Sequence, residues 1–184
     1  LWEYKMKQPV ESSPATDGSG VFFGSNDGRM YALDMVSYSG KWGSLGQTYG
    51  TFGVMTAAVS SAAVYAVPSG NTGEIYKLDP SNGNELARYE PYAAGYGLME
   101  TASPVLAGDR VYYSAGNSPH TLYCLNSNDL SFISSAPVLG NTSIFGMPAS
   151  PAMAGSVVYA GTADGRLVAI SSSGVVLQEI MLPS

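Results

Sequence analysis

Apolar residues in this chain come in short runs, each closed by a turn rich in Gly, Asn, Asp or Ser. No stretch sustains a period of 3.6, so no helix is predicted. The runs recur as one phrase. Val21-Phe-Phe-Gly-Ser-Asn-Asp-Gly-Arg-Met-Tyr-Ala-Leu-Asp34 reappears from Val64 to Asp79, from Val111 to Asn126 and from Val158 to Ser171. The leading valines are 43, 47 and 47 residues apart. The ends of the second run in each phrase, Leu33, Leu78, Leu125 and Ile170, keep a matching spacing of 45, 47 and 45.

One repeat predicts four strands. In the fourth, these are Ala149–Met153, Ser156–Ala160, Arg166–Ile170 and Val175–Met181. A tight turn at Ala163-Asp-Gly165 and a second at 171–174 join them, with Gly supplying the positive φ of a hairpin. The first repeat matches through Ser12–Ala15, Val21–Ser25, Arg29–Asp34 and Gly40–Trp42. Near-continuous apolar middle strands, such as Val111–Tyr113 and Leu122–Leu125, suit sheets covered on both faces. Strand–turn–strand units with a period of about 40–50 residues predict β-propeller blades. The expected fold is all-β, with four four-stranded antiparallel blades at roughly 11–46, 54–92, 100–139 and 148–182. Residues 1–7 open no repeat and read as the outer strand of a preceding or partner blade. Three arrangements are open: part of a larger propeller, half of an eight-bladed ring built from two chains, or four blades closing on their own.

The phrase, preceded by Ser-Ser-Pro, resembles the pyrroloquinoline-quinone (PQQ) type propeller repeat. That repeat occurs in quinoprotein alcohol dehydrogenases, in BamB-like outer-membrane assembly lipoproteins and in envelope and sensor proteins. The likeness spans the whole chain. It is fullest at Ser12–Pro14, Gly24–Gly28, Tyr31–Asp34 and Gly40–Trp42, and in the fourth repeat; lengthened hairpins blur the second and third. It implies a fold and leaves the activity open, because function resides in sites rather than folds.

Composition narrows the classes. Net charge is −6 and the eight Lys and Arg are spread singly, which argues against nucleic-acid binding. No apolar run reaches membrane-spanning length. The N-terminus carries no signal-peptide core and no initiator Met, so the chain reads as a mature form or an excised piece. Few lysines, an acidic balance and abundant Ser, Thr, Asn and Gly suit a periplasmic, envelope or secreted setting. The single cysteine, Cys124, reads as a small buried hydrophobe.

The connections that enter the blades carry a second recurrence, aromatic–Gly followed by Met: Tyr49–Met55, Gly95–Glu100 and Ser143–Met147. Tyr49, Phe52, Met55, Tyr96, Met99, Glu100, Phe145 and Met147 are the candidate ligand- or partner-binding residues. The competing reading is packing between blades. Asp27-Gly28, Asp164-Gly165 and Asp79–Glu85 read as turns rather than cation loops. His120 reads as a solvated loop residue, and Trp2 and Trp42 as packing groups between blades. No metal site and no Gly-x-Ser-x-Gly elbow is predicted.

The resemblance implies that a quinoprotein dehydrogenase would hold PQQ and Ca²⁺ with axial acidic ligands, Arg contacts, a Trp platform and often a vicinal disulfide. The chain has no Cys-Cys, and only Glu11 and Glu100 are acidic residues entering inner strands. The expectation is a non-catalytic scaffold without cofactor that binds a protein or peptide partner, with homodimerisation through open blade edges as an option. The alternative is a fragment of a PQQ-dependent dehydrogenase.

Overall fold

The computed structural model describes residues 2–44, 55–68, 73–91, 100–116, 120–138, 150–162, 165–171, 173 and 175–181. Each repeat folds into one antiparallel sheet. The first holds β1 (Ala15–Thr16), β2 (Gly20–Ser25), β3 (Arg29–Asp34) and β4 (Gly40–Ser44). The second holds β5 (Ala58–Ser60), β6 (Ala63–Ala66), β7 (Ile75–Leu78) and β8 (Glu85–Tyr89). The third holds β10 (Val105–Ala107), β11 (Arg110–Gly116), β12 (His120–Asn126) and β13 (Phe132–Val138), with β9 (Glu100–Thr101) paired to the end of β11. The fourth holds β14 (Ala152–Ala154), β15 (Val157–Gly161), β16 (Arg166–Ser171) and β17 (Val176–Met181). No helix occurs among the described residues.

Register makes the four sheets superposable position by position. Val21 faces Leu33, Val64 faces Leu78, Val111 faces Leu125 and Val158 faces Ile170. A register shift falls at the same step of every third–fourth strand pair: Ala32/Leu33, Lys77/Leu78, Cys124/Leu125 and Ala169/Ile170. Such a bulge bends the outer strand and sharpens its twist.

The polar residue that ends each third strand closes the next turn. Asp34 Oδ1 accepts from the Val36 and Ser37 amides, Asp79 Oδ1 from Ser81, Asn126 Oδ1 from Asn128, and Ser171 Oγ from Val175. These are side-chain turns, and they explain why the phrase ends in Asp, Asn or Ser. Four residues past the first three of these acceptors, the backbone turns left-handed at Tyr38 (φ 56), Gly83 (φ 74) and Leu130 (φ 59). The non-glycine Leu130 takes this conformation with its side chain almost fully buried, so apolar burial offsets the backbone cost.

Each blade has two faces. Where two described blades adjoin, the forward face of one meets the reverse face of the next. Phe22, Met30 and Ala32 pack forward onto Val64, Ala66, Tyr76 and Leu78. Tyr65 and Ile75 pack forward onto Val111, Tyr113, Tyr123 and Leu125. Tyr112, Leu122 and Cys124 pack forward onto Val158, Val168 and Ile170. Cys124 is therefore a buried inter-blade residue, as expected. Trp42 is also an inter-blade group: it lies beside Phe22 and its Nε1 donates to the Pro80 carbonyl across the junction at 2.9 Å.

His120 departs from expectation. Its backbone opens β12 and pairs with Val138 instead of lying in a loop, because the third blade extends its hairpin strands further than the others. Residues 2–6 pair with no strand among the described residues.

Candidate functional site at the inner-strand end of the blades

The inner strands stand side by side in the order β1, β5, β10, β14. Just ahead of each lies one equivalent position: Ser13, Thr56, Ser103 and Ser150. The Thr56 amide donates to Ser103 Oγ at 2.9 Å, and the Ser103 amide donates to Ser150 Oγ at 3.1 Å. The hydroxyls thus stitch adjacent blades together, satisfying backbone donors that no ladder reaches. In the first blade Ser12, buried, both donates to the Gly24 carbonyl and accepts from the Gly24 amide. Asn26 and Ser25 bond back to the Pro9 carbonyl, fixing the entry to this blade.

The hairpins between second and third strands border the same end. Glu74 is buried and accepts a 2.6 Å hydrogen bond from the Tyr76 hydroxyl. Burial, then this carboxylate, pushes the Tyr76 phenol well above its ordinary value, while Arg88 opposes the shift. Tyr113 donates to the Gly73 carbonyl at 3.0 Å, joining the third blade to the second hairpin. In the first hairpin Asp27 accepts from the Arg29 amide and from the Tyr31 hydroxyl at 2.6 Å, which is turn chemistry rather than cation binding. Burial and then Asp27 push Tyr31 up to about 12.

Of the eight candidate binding residues, Met55 is described and is 5 % exposed. It occupies the position of Ser12 and Ala102, packed at the head of the inner strand, so in this structure it serves the interior. Glu100 lies in β9, where its backbone pairs with Gly116. Tyr49, Phe52, Tyr96, Met99, Phe145 and Met147 lie outside the described residues. The structure adds what the sequence reading missed: the hydroxyl stitch and the buried Glu74–Tyr76 pair. The stitch had a signal, since Thr56, Ser103 and Ser150 fall 47 residues apart and two of them precede Pro. Glu74 had none, because nothing local distinguishes a buried carboxylate in a lengthened hairpin.

Four-stranded sheets stacked face to face, with their first strands side by side, define the chain as a β-propeller module. A family described as outer membrane protein assembly factor BamB matches residues 1–136. The chain belongs to this PQQ-like, BamB-like propeller family. No curated protein matches. Among solved structures, BamB from Moraxella catarrhalis aligns with a TM-score of 0.79 at 19% identity, covering 100% of this chain and 56% of that one. Quinohemoprotein alcohol dehydrogenase from Comamonas testosteroni aligns at 0.77 and 12% identity, covering 95% and 35%. The computationally designed Ika8 protein aligns at 0.68 and 15% identity, covering 91% and 48%. These likenesses show the fold, and the chain spans little more than half, or less, of each of these proteins.

The dehydrogenase likeness raises PQQ and Ca²⁺. Among the described residues no three His, Cys, Asp or Glu side chains come together. Besides Glu11, which is exposed, the described heads of the inner strands present hydroxyls bound to backbone groups and apolar side chains. These residues do not compose the acidic donor set that Ca²⁺ requires.

Proposed function

We propose that the chain is a non-catalytic scaffold module of the cell envelope or periplasm, which presents rigid loop ends and strand edges to a protein or peptide partner. The match to the BamB family over residues 1–136 carries this reading. Two features support it. The inner-strand heads are locked by inter-blade hydrogen bonds, so loops borne on them lose little entropy on binding. The outer strand β17 is exposed along its whole length, with Val176, Leu177, Ile180 and Met181 open to solvent. An exposed apolar edge strand is a template for β-augmentation. Among the described residues no helix is long and apolar enough to cross a membrane.

Tyr49, Phe52, Tyr96, Met99, Glu100, Phe145 and Met147 remain the proposed loop contacts, whereas Met55 is buried at the head of its inner strand. The test is calorimetric titration with an extended peptide of alternating apolar and polar residues. Saturable binding that weakens at least ~10-fold in a Tyr96→Ala, Phe145→Ala double variant supports the loop site. Binding that weakens in Leu177→Lys instead assigns the β17 edge. In parallel, PQQ and Ca²⁺ are added with an artificial electron acceptor. A bound quinone chromophore with dye reduction would overturn the scaffold reading in favour of a dehydrogenase fragment.

A further inference from the structure

The bulge in each outer strand inserts one extra residue between two that face the third strand. That residue is Lys41 in β4, Leu86 in β8, Ile133 in β13 and Leu177 in β17. In the first blade it is charged, and Lys41 Nζ lies 3.9 Å from the Asp34 carboxylate. In the next three blades the same position is aliphatic and open: Leu86 is 51% exposed, Ile133 39% and Leu177 56%. One exposed aliphatic side chain needs no explanation. The same exposure at one structural position in three consecutive blades makes a patterned apolar surface.

The second and third of these outer strands are guarded elsewhere along their length. Arg88 of β8 pairs with Glu85 and with Glu90 just past the strand end. Pro137 of β13 offers no N–H to an incoming strand. The aliphatic bulge residues there are therefore not the by-product of an unprotected edge. The rim is also apolar beside them, since Phe132 and Val176, one step back, are exposed as well. Tyr89 of the second blade reaches Phe132 of the third, with ring centroids 6.3 Å apart. Each bulge lies two residues past the turn that leads into its strand. In the second and third blades those turns carry Asp79 and Asp129, which accept from the Ser81 and Ser131 amides. Neither carboxylate makes an ion pair among the described residues.

From this arrangement we infer that the bulge row of the second, third and fourth blades is a docking stripe for an amphipathic α-helix of a partner protein, with basic residues flanking its apolar face. The acidic turns below the stripe set the charge of that flank. Stacked sheets stand about 10 Å apart, and two helical turns advance about the same distance, so apolar residues seven apart would meet successive bulges. A β-strand laid across the blades would run athwart the outer strands and form no ladder with them. Its own N–H and C=O groups would go unpaired, whereas a helix pairs them internally. A second copy of this chain supplies no such element, since no helix occurs among the described residues. The inference rests on the scaffold reading, and it names a surface distinct from the loop ends and from the backbone edge of β17.

The probe is a peptide of about three heptads, with Leu at the first and fourth place of each and Lys and Ala elsewhere. Calorimetric titration of the full chain should show saturable one-to-one binding, with a gain of peptide helicity by circular dichroism. A peptide of the same composition with its leucines scrambled should bind at least ~10-fold more weakly. Leu86→Asp combined with Ile133→Asp should weaken binding at least ~10-fold, and Asp129→Asn about 2–5-fold. Equal binding by the scrambled peptide, or undiminished binding by the folded double variant, would overturn the inference. Should the double variant fail to fold, the unmodified chain still decides. On adding the peptide, NMR amide shifts should cluster around Leu86, Ile133 and Leu177, and shifts confined to β17 or to the loop ends would overturn the stripe. If the extended peptide binds and the helical one does not, the stripe falls and the scaffold reading stands; if neither binds, both fall.

Discussion

The forward faces of the second and fourth blades carry nearly the same side chains and meet different fates. Tyr65 and Ile75 of the second are 3% and 0% exposed beneath the third blade. Their counterparts in the fourth, Tyr159 and Leu167, are only half-buried, because no described blade lies over them. On these two forward faces, the covering blade makes the difference. Stability is therefore distributed along the array by nearest-neighbour contacts, as in other repeat proteins.

The sharpest way to break this comparison is to truncate matched residues. Leu125→Ala, in the junction of the second and third blades, should cost about 2–5 kcal/mol, read as a lower denaturant midpoint. A cost below ~1 kcal/mol would mean that the junction is loosely packed. Tyr113→Phe removes the bond to the Gly73 carbonyl and should cost about 1–2 kcal/mol. Leu167→Ala, on the uncovered face, should cost less than ~1 kcal/mol by the same denaturant curve. If it matches Leu125→Ala, something covers the fourth blade in solution.

The smallest expected effect is on acid stability. Asp34, Asp79 and Asp129 are held below the usual carboxylate range, chiefly by turn hydrogen bonds from Ser37, Ser81 and Ser131. Their folded values lie below their unfolded values. Their contribution is thus complete above about pH 4 and is lost as pH falls through the lower folded values. Asp79→Asn should flatten the acid limb of a Tm–pH curve slightly and leave the neutral region nearly unchanged. An equal loss at every pH would assign Asp79 a role other than its ionised turn.

Much of the fold was legible because the repeat is local and periodic. Valine, Gly and the terminal Asp, Asn or Ser each have a backbone reason to recur: a covered strand, a left-handed hairpin residue and a side-chain turn. Gly28 and Gly165, both at φ 83, bear out that turn chemistry. The bulge beside each third-strand ending was not legible, since it inserts a residue without a characteristic type. The hydroxyl stitch was half legible: the Ser-Pro recurrence was visible, but the inter-blade partner of each hydroxyl depends on how blades stack. Residues 1–7 read as an outer strand by their likeness to Glu85–Tyr89 and Val175–Met181, and residues 2–6 pair with no strand among the described residues.

The most direct measurement is residue-resolved native-state hydrogen exchange. The slowest amides should lie in β6, β7, β11 and β12, the strands of the doubly covered second and third blades. Fast exchange is expected at the free edge of β17, whose side chains are exposed throughout. Protection in β17 equal to that in β12 would contradict the claim that coverage by a neighbouring blade sets the stability of each sheet.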